Sequence, residues 1–269
     1  MLNQEVPGSP PPTAAEWGSM ALMPEPSRST PTQTLDRWMR RRPALLILAC
    51  GLVVLSLLGW LFAETTEAVL ERDDIAAVDN PVTRWLVQQR QPWLTAAMRT
   101  VTRLGDAWFV VTLIVVVTLV LWVRRRPWRE LAVLPIASGG AVLIVTFIKV
   151  VIERPRPTIG EIVASASGFA FPSGHSAQAV ACYGALAWLI AHVTTTRRAT
   201  VLAWSGASVV AFLIGVSRLY LGVHWLSDVI GGWALGAAWL TVTLSAVAAR
   251  QRWTDAGSWT PADPEARTG

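Results

Sequence analysis

The sequence predicts an all-α fold: a polytopic membrane bundle of six transmembrane helices, with one or two short interfacial helices in the first outer loop. Three observations carry this expectation. Of 269 residues, 52% are hydrophobic and only 15% charged, against about 25% charged in an ordinary soluble domain. The missing charge is absent from runs long enough to cross a bilayer, for which about 20 apolar residues suffice. The basic residues gather in short arginine clusters beside those runs, the pattern that marks cytoplasmic loops.

Residues 1–43 are polar and proline-rich (Pro7, Pro10, Pro11, Pro12, Pro24, Pro26, Pro31) and predict a disordered cytoplasmic N-terminus. The first apolar run begins too late for a signal peptide. That run, 44–63, follows Arg40-Arg41-Arg42 and is the first expected span. Residues 64–106 are mixed, opening on Glu64, Glu67, Glu71, Asp73 and Asp74. Within them 82–88 and 93–101 have apolar residues at helical spacing, which suits amphipathic helices at the membrane surface, the alternative being a solvated loop. Trp85 and Trp93 fit that interfacial depth.

The second span is 107–123, stopped by Arg124-Arg125-Arg126. The third, 131–152, contains Gly139-Gly140, which suggests a close helix contact, and is ended by Pro155 and Pro157. A loop over 158–171 leads to the fourth span, 174–193, closed by Arg197-Arg198. The fifth is 201–216, and the sixth, 227–249, offers Gly232 and Gly236 as a packing face. A polar tail over 250–269 completes the division into N-terminus, membrane domain (44–249) and tail. Every arginine cluster then falls on one side, which places both termini in the cytoplasm of a cell (inner) membrane protein.

The net charge of +5 and a pI near 10.2 do not require nucleic acid as a partner, because topology accounts for the arginines. Cys50 and Cys182 both lie in apolar runs, where cysteine behaves as a small hydrophobe. They imply neither a disulfide framework nor a metal cluster.

On the side opposite the arginines, three motifs recur at span ends. The first pairs Lys149, the only lysine, with Arg156-Pro157 seven residues on. A charge near lipid is costly and needs a partner or a function, although snorkelling also accommodates a lysine. Arginine suits phosphate through its planar, two-pronged donor geometry. Arg154-Pro155 stands just before Arg156, and Arg154 reads as a rim or headgroup contact that could pair with Glu153. The second motif, Pro172-Ser173-Gly174-His175, opens a helix, whose free N–H groups and positive dipole end attract anions. Ser173 fits a helix cap or a phosphate contact, and His175 a structural or a chemical role. The third is Ser217-Arg218 with His224 and Asp228. If that stretch is helical, a spacing of four sets His224 and Asp228 on one face. A carboxylate on one imidazole nitrogen fixes the tautomer and bares the other as a nucleophile. Asp228 also suits the start of a helix through the dipole alone. His192 lies at the far end of the fourth span and stays outside this group.

The three motifs, in this order and spacing, resemble those of the type 2 phosphatidic acid phosphatase superfamily, the integral-membrane lipid phosphatases, over about residues 60–245. The resemblance implies a six-helix bundle with an extracytoplasmic active site. It implies His224 as the nucleophile that becomes phosphohistidine, Asp228 as its orienting carboxylate and His175 as the general acid. Lys149, Arg156, Ser173, Gly174 and Arg218 would hold the phosphoryl oxygens. The three cations supply the charge stabilisation that phosphoryl transfer needs, so no metal and no cofactor is expected. The expected partners are the bilayer and a membrane lipid phosphate. An isoprenyl (undecaprenyl) diphosphate is the first guess, with phosphatidic acid and phosphatidylglycerophosphate next. A phosphotransferase using the same phosphohistidine is the alternative within enzymes. A non-enzymatic transporter or assembly protein is the alternative outside them, though the polar residues sit at helix ends and no repeat is visible. Oligomeric state is left open.

Overall fold

The computed structural model describes residues 31–71, 75–160, 163–164 and 166–257. Among them are eight helices and no strand: α1 (Pro31–Glu71), α2 (Ile75–Gln88), α3 (Pro92–Arg103), α4 (Ala107–Val123), α5 (Trp128–Ile152), α6 (Gly174–Val193), α7 (Arg197–Tyr220) and α8 (Leu226–Gly257). The chain divides at Arg42 and Pro43 into two units. Residues 1–30 of the expected disordered terminus, and 258–269 of the tail, lie outside the described residues.

Five helices are long and apolar enough to cross a membrane: residues 44–71 of α1, α5, α6, α7, and α8 as far as Arg252. The sixth candidate is a bent pair, α3 and α4, which turn by 45° at a short break. The reason lies in length. The 17 residues of α4 reach about 26 Å at about 1.5 Å per residue, just short of a hydrocarbon core of about 30 Å. The protein is therefore a multi-pass membrane protein, and the first loop does contain two short helices, α2 and α3.

Two boundaries differ from the sequence expectation. Helix α1 begins at Pro31; its part apolar enough to cross a membrane starts at Ala44, as expected, but runs to Glu71 rather than residue 63. A proline at the start of a helix forfeits no intrahelical bond, so it opens a helix as readily as it breaks one. Helix α7 runs on to Tyr220, beyond residue 216, and α8 starts at Leu226.

The centre of the bundle is α6. Ala177, Ala181, Cys182 and Ala185 are fully buried on it, and their small size lets neighbouring helices close in. Gly232 and Gly236 of α8 are the reason α8 can do so. A Cβ at Gly232 would lie 2.6 Å from the Ser173 carbonyl oxygen, and one at Gly236 2.9 Å from Ala177 Cα. Of the glycine pair in α5, Gly140 faces the Trp239 ring, whereas Gly139 meets open space. Leu52, Val53, Leu57 and Trp60 of α1 and Val115, Val116 and Leu119 of α4 point outward, as lipid-facing surfaces do. Near its C-terminal end α1 touches the site region, where Phe62 stacks on Phe171 with ring centroids 5.7 Å apart.

The antiparallel order of α5 to α8 brings the C-terminus of α5, the N-terminus of α6, the C-terminus of α7 and the N-terminus of α8 to one end. All three motifs lie there. The α2–α3 corner is tied to the same end: the Arg90 Nε donates to the Tyr220 carbonyl at 3.1 Å, and the Gln91 N–H donates to the Tyr220 hydroxyl oxygen at 3.0 Å.

Candidate active site

His224 sits in the turn between α7 and α8, not on a helix. Its contact with Asp228 therefore does not come from a helical face. Asp228 lies in the first turn of α8, and its Oδ2 accepts the Trp225 backbone N–H at 2.9 Å. This is the reach-back of a capping box, in which an acidic residue satisfies a donor just outside the helix. The same Oδ2 is 3.2 Å from His224 Nδ1. The other ring nitrogen, Nε2, is 3.4 Å from Arg156 Nη1. A carboxylate can only accept and a guanidinium can only donate. The proton therefore belongs on Nδ1, and Nε2 carries a free lone pair. His224 is 2% exposed. Burial pushes its pKa down to about 3; the Asp228 hydrogen bond and charge oppose the shift, and Arg218 and Arg156 add to it. The imidazole is neutral at physiological pH.

The cations converge on the same end. The guanidinium of Arg156 forks across a carbonyl-lined corner, donating to Gly168 O (3.0 Å), Ser167 O (2.7 Å) and Val223 O (2.7 Å). The Lys149 ammonium donates to the Phe169 and Ala170 carbonyls of the same loop. Arg218 is 4% exposed and donates through Nη1 to Thr102 Oγ1 at 2.9 Å. Among the described residues its Nε, which is buried, has no partner. An orphaned charged donor is costly to bury, and an anion at this position would satisfy it.

Ser173 is fully buried at the N-terminal boundary of α6, and its side chain makes no capping bond. Its N–H donates to the Asp228 carbonyl at 2.9 Å, which joins the starts of α6 and α8, and its Oγ accepts from Ser176 Oγ at 3.0 Å. Gly174 opens α6. His175 follows, with Nε2 at 3.0 Å from Asp106 Oδ1 at the α3–α4 corner. Among the described residues His175 and His224 are held by different carboxylates, Asp106 and Asp228.

The structure corrects the reading of Arg154. It is no rim contact and does not pair with Glu153. Its side chain is 13% exposed and forms ion pairs with Asp228 Oδ1 at 2.6 Å and Asp79 Oδ2 at 2.7 Å. The αL conformation of Glu153 (φ 50°) ends α5, and the turn sends Arg154 inward. Sequence reasoning missed Asp79 and Asp106 as well. Asp106 carried a faint signal, an acidic residue directly before an apolar run; Asp79 carried none. His192 stays apart, stacked on Trp188 with centroids 4.8 Å apart. Among the described residues, no three His, Cys, Asp or Glu side chains gather as a metal site.

A membrane bundle with a bared imidazole, a buried carboxylate and three cations at one end suits phosphoryl chemistry. Comparison with known proteins agrees with this class. The PAP2 superfamily profile matches residues 130–252. Phosphatidylglycerophosphatase B of Bacillus subtilis is 35% identical over 178 residues, covering 66% of this chain and 87% of that protein. An undecaprenyl-diphosphatase of Sulfolobus acidocaldarius is 33% identical, but over 88 residues, which is 34% of its length. The crystal structure of a transmembrane PAP2-type phosphatidylglycerolphosphate phosphatase from Bacillus subtilis superposes with a TM-score of 0.66 at 31% identity, covering 71% of this chain and 94% of that one. The chain belongs to the PAP2 superfamily of integral-membrane lipid phosphatases.

Proposed function

We propose that this lipid phosphatase hydrolyses phosphate monoesters of membrane glycerolipids, phosphatidylglycerophosphate first among them, by a phosphohistidine route at the extracytoplasmic face. The observation that carries the reading is the bracketing of the His224 ring, with Asp228 on Nδ1 and Arg156 beside Nε2. The choice of lipid rests on the similarity to phosphatidylglycerophosphatase B, which spans 87% of that protein and 66% of this chain. The match to the undecaprenyl-diphosphatase covers a third of the chain, so the diphosphate carrier lipid moves from first guess to second.

In this reading Nε2 of His224 attacks phosphorus, and the bond from phosphorus to the ester oxygen breaks. His175, protonated and held by Asp106, gives its proton to the leaving alkoxide. Lys149, Arg156 and Arg218, with Ser173 and the Gly174 N–H, hold the phosphoryl oxygens as charge spreads onto them. Water then attacks the phosphohistidine, neutral His175 takes its proton, and phosphate leaves His224 restored. The cations meet the charge demand, so the step needs no metal and no cofactor.

The test is phosphate release by the purified chain in detergent micelles containing EDTA. Phosphatidylglycerophosphate, phosphatidic acid and undecaprenyl diphosphate are offered in parallel, with His224→Ala as control. Fastest release from phosphatidylglycerophosphate, lost in the control, is expected. Release abolished by EDTA, or faster from the diphosphate, would overturn the respective part. Release that appears only when an acceptor lipid is added would indicate a phosphotransferase.

A further inference from the structure

We infer that Arg154 and Asp79 are positioning residues for the nucleophile: together they hold Asp228 so that only its Oδ2 faces His224. This rests on the reading of His224 as the attacking group.

Asp228 is fully buried, and its two oxygens have separate tasks. Oδ2 serves His224 Nδ1 and the Trp225 N–H. Oδ1 receives Arg154 Nη1 at 2.6 Å. The same Nη1 donates to Ser227 Oγ at 2.6 Å, while Nη2 donates to Asp79 Oδ2 at 2.7 Å. Asp79 in turn accepts the Ser227 N–H on Oδ1 at 2.9 Å and the Ser227 hydroxyl on Oδ2 at 2.5 Å. Every oxygen of both carboxylates is thus engaged. Because the guanidinium is planar, its two prongs fix the two carboxylates relative to each other. A rotation of Asp228 about its last bond would break the bond to Arg154 and the bond to His224 at once.

Charge leads to the same conclusion. A buried carboxylate without a counterion is expensive. Were Arg154 absent, Asp228 would have to draw on the cations beside His224 for neutralisation, and those are the groups needed for phosphate. Arg154 supplies that charge from behind the histidine, and among the described residues Lys149, Arg156 and Arg218 are in no ion pair with a carboxylate. Asp79 comes from α2, a helix of the first loop, so this loop contributes a carboxylate behind each histidine: Asp79 through Arg154 for His224, and Asp106 directly for His175.

A merely structural role is the competing account, since Asp79 also satisfies a free N–H in the first turn of α8. Kinetics and the tautomer of His224 separate the two. The full chain in lipid nanodiscs, labelled with 15N-histidine, is compared as wild type, Arg154→Met, Arg154→Lys, Asp79→Asn and the double variant Arg154→Met/Asp79→Asn. His192→Gln and His175→Gln samples assign the rings. In Arg154→Met, kcat per folded molecule is expected to fall about 10²-fold with KM little changed, the scale of a misplaced reacting group. The His224 signal is expected to lose its Nδ1–H tautomer. Arg154→Lys should regain part of kcat and the tautomer. The double variant should lose no more than Arg154→Met alone, because the two residues act as one unit. An unchanged tautomer overturns the inference. So does a loss confined to thermal stability with kcat per folded molecule retained, or losses that simply add. If wild type releases no phosphate from phosphatidylglycerophosphate but Arg154→Met still shifts the tautomer, the choice of substrate fails and the positioning role stands.

Discussion

Replacing Asp228 with asparagine keeps the shape of the side chain and reverses one hydrogen bond. In the native site Oδ2 accepts from His224 Nδ1 and from the Trp225 N–H. Whichever way the new amide is turned, one of its two ends becomes a donor. With the oxygen toward Arg154, the NH2 group faces His224, the ring must accept at Nδ1, and the proton moves to Nε2, the atom proposed to attack. With the oxygen toward His224, the NH2 group opposes Arg154 Nη1, a donor against a donor at what is now 2.6 Å. Loss of a charge-assisted hydrogen bond costs about 1.5–3 kcal/mol, and the misplaced proton adds to it. An amide behind a catalytic histidine elsewhere lowers kcat by about 10⁴ through the wrong tautomer; we expect a loss of roughly 10³–10⁴ here, or about 4–5.5 kcal/mol in barrier. The fold should survive, because Arg154 keeps Asp79. The assay is phosphate release in micelles with EDTA, with the thermal midpoint read on the same samples. A folded Asp228→Asn variant that retains more than a tenth of wild-type kcat would refute the tautomer argument.

Further predictions follow from individual contacts. The unfolded chain binds a proton at His224 near pH 6.5, whereas the folded site does so only at about pH 3. Between these values the unfolded state holds more protons, so stability falls as pH falls. Thermal midpoints measured from pH 7.5 down to 4.5 should show this slope, and His224→Asn should flatten it; equal slopes would count against a buried neutral imidazole. Activity should likewise show no acid limb near pH 6.5 from His224. Gly236→Ala drives a Cβ to within 2.9 Å of Ala177 Cα, which is backbone and cannot yield; overpacking of this kind costs about 1–3 kcal/mol. Gly139→Ala meets nothing within 4 Å and should be neutral or stabilising by up to about 1 kcal/mol from helix propensity; thermal midpoints compare the two. Arg218→Met removes the buried orphan donor and should weaken inhibition by inorganic phosphate while lowering kcat/KM by about 10²-fold or more. Unchanged phosphate inhibition would mean that Arg218 does not face the anion.

The spans with the sharpest chemical edges were the most legible. Helix α4 matches its expected limits because Asp106 and Arg124 bracket an uncharged run, and α6 does so because Pro172 and Arg197 flank it. The apolar part of α1 starts at Ala44 as the sequence indicates, but the helix continues past residue 63 to Glu71, through acidic residues that read as the opening of a loop. His224 and Asp228 were paired for an incomplete reason: the geometry is a turn followed by a capping carboxylate, not one face of a continuous helix. The polar residues around the motifs escaped altogether. Asp79 and Arg154 are 75 positions apart and His175 and Asp106 are 69 apart, and no local pattern encodes such pairings. Arg154 was assigned to a rim because it precedes a proline at a helix end. The αL turn at Glu153 that carries it inward is not visible in residue types, since glycine is what usually signals that conformation.

His224 is proposed to carry the phosphoryl group. This is tested most directly by rapid acid-free quenching of the wild-type chain mixed with 32P-labelled phosphatidylglycerophosphate, followed by peptide mapping. The account predicts a base-stable, acid-labile label on the peptide containing His224, formed and lost at rates compatible with kcat, and absent in His224→Ala. A label on another residue, or turnover in His224→Ala at the wild-type rate, would contradict it.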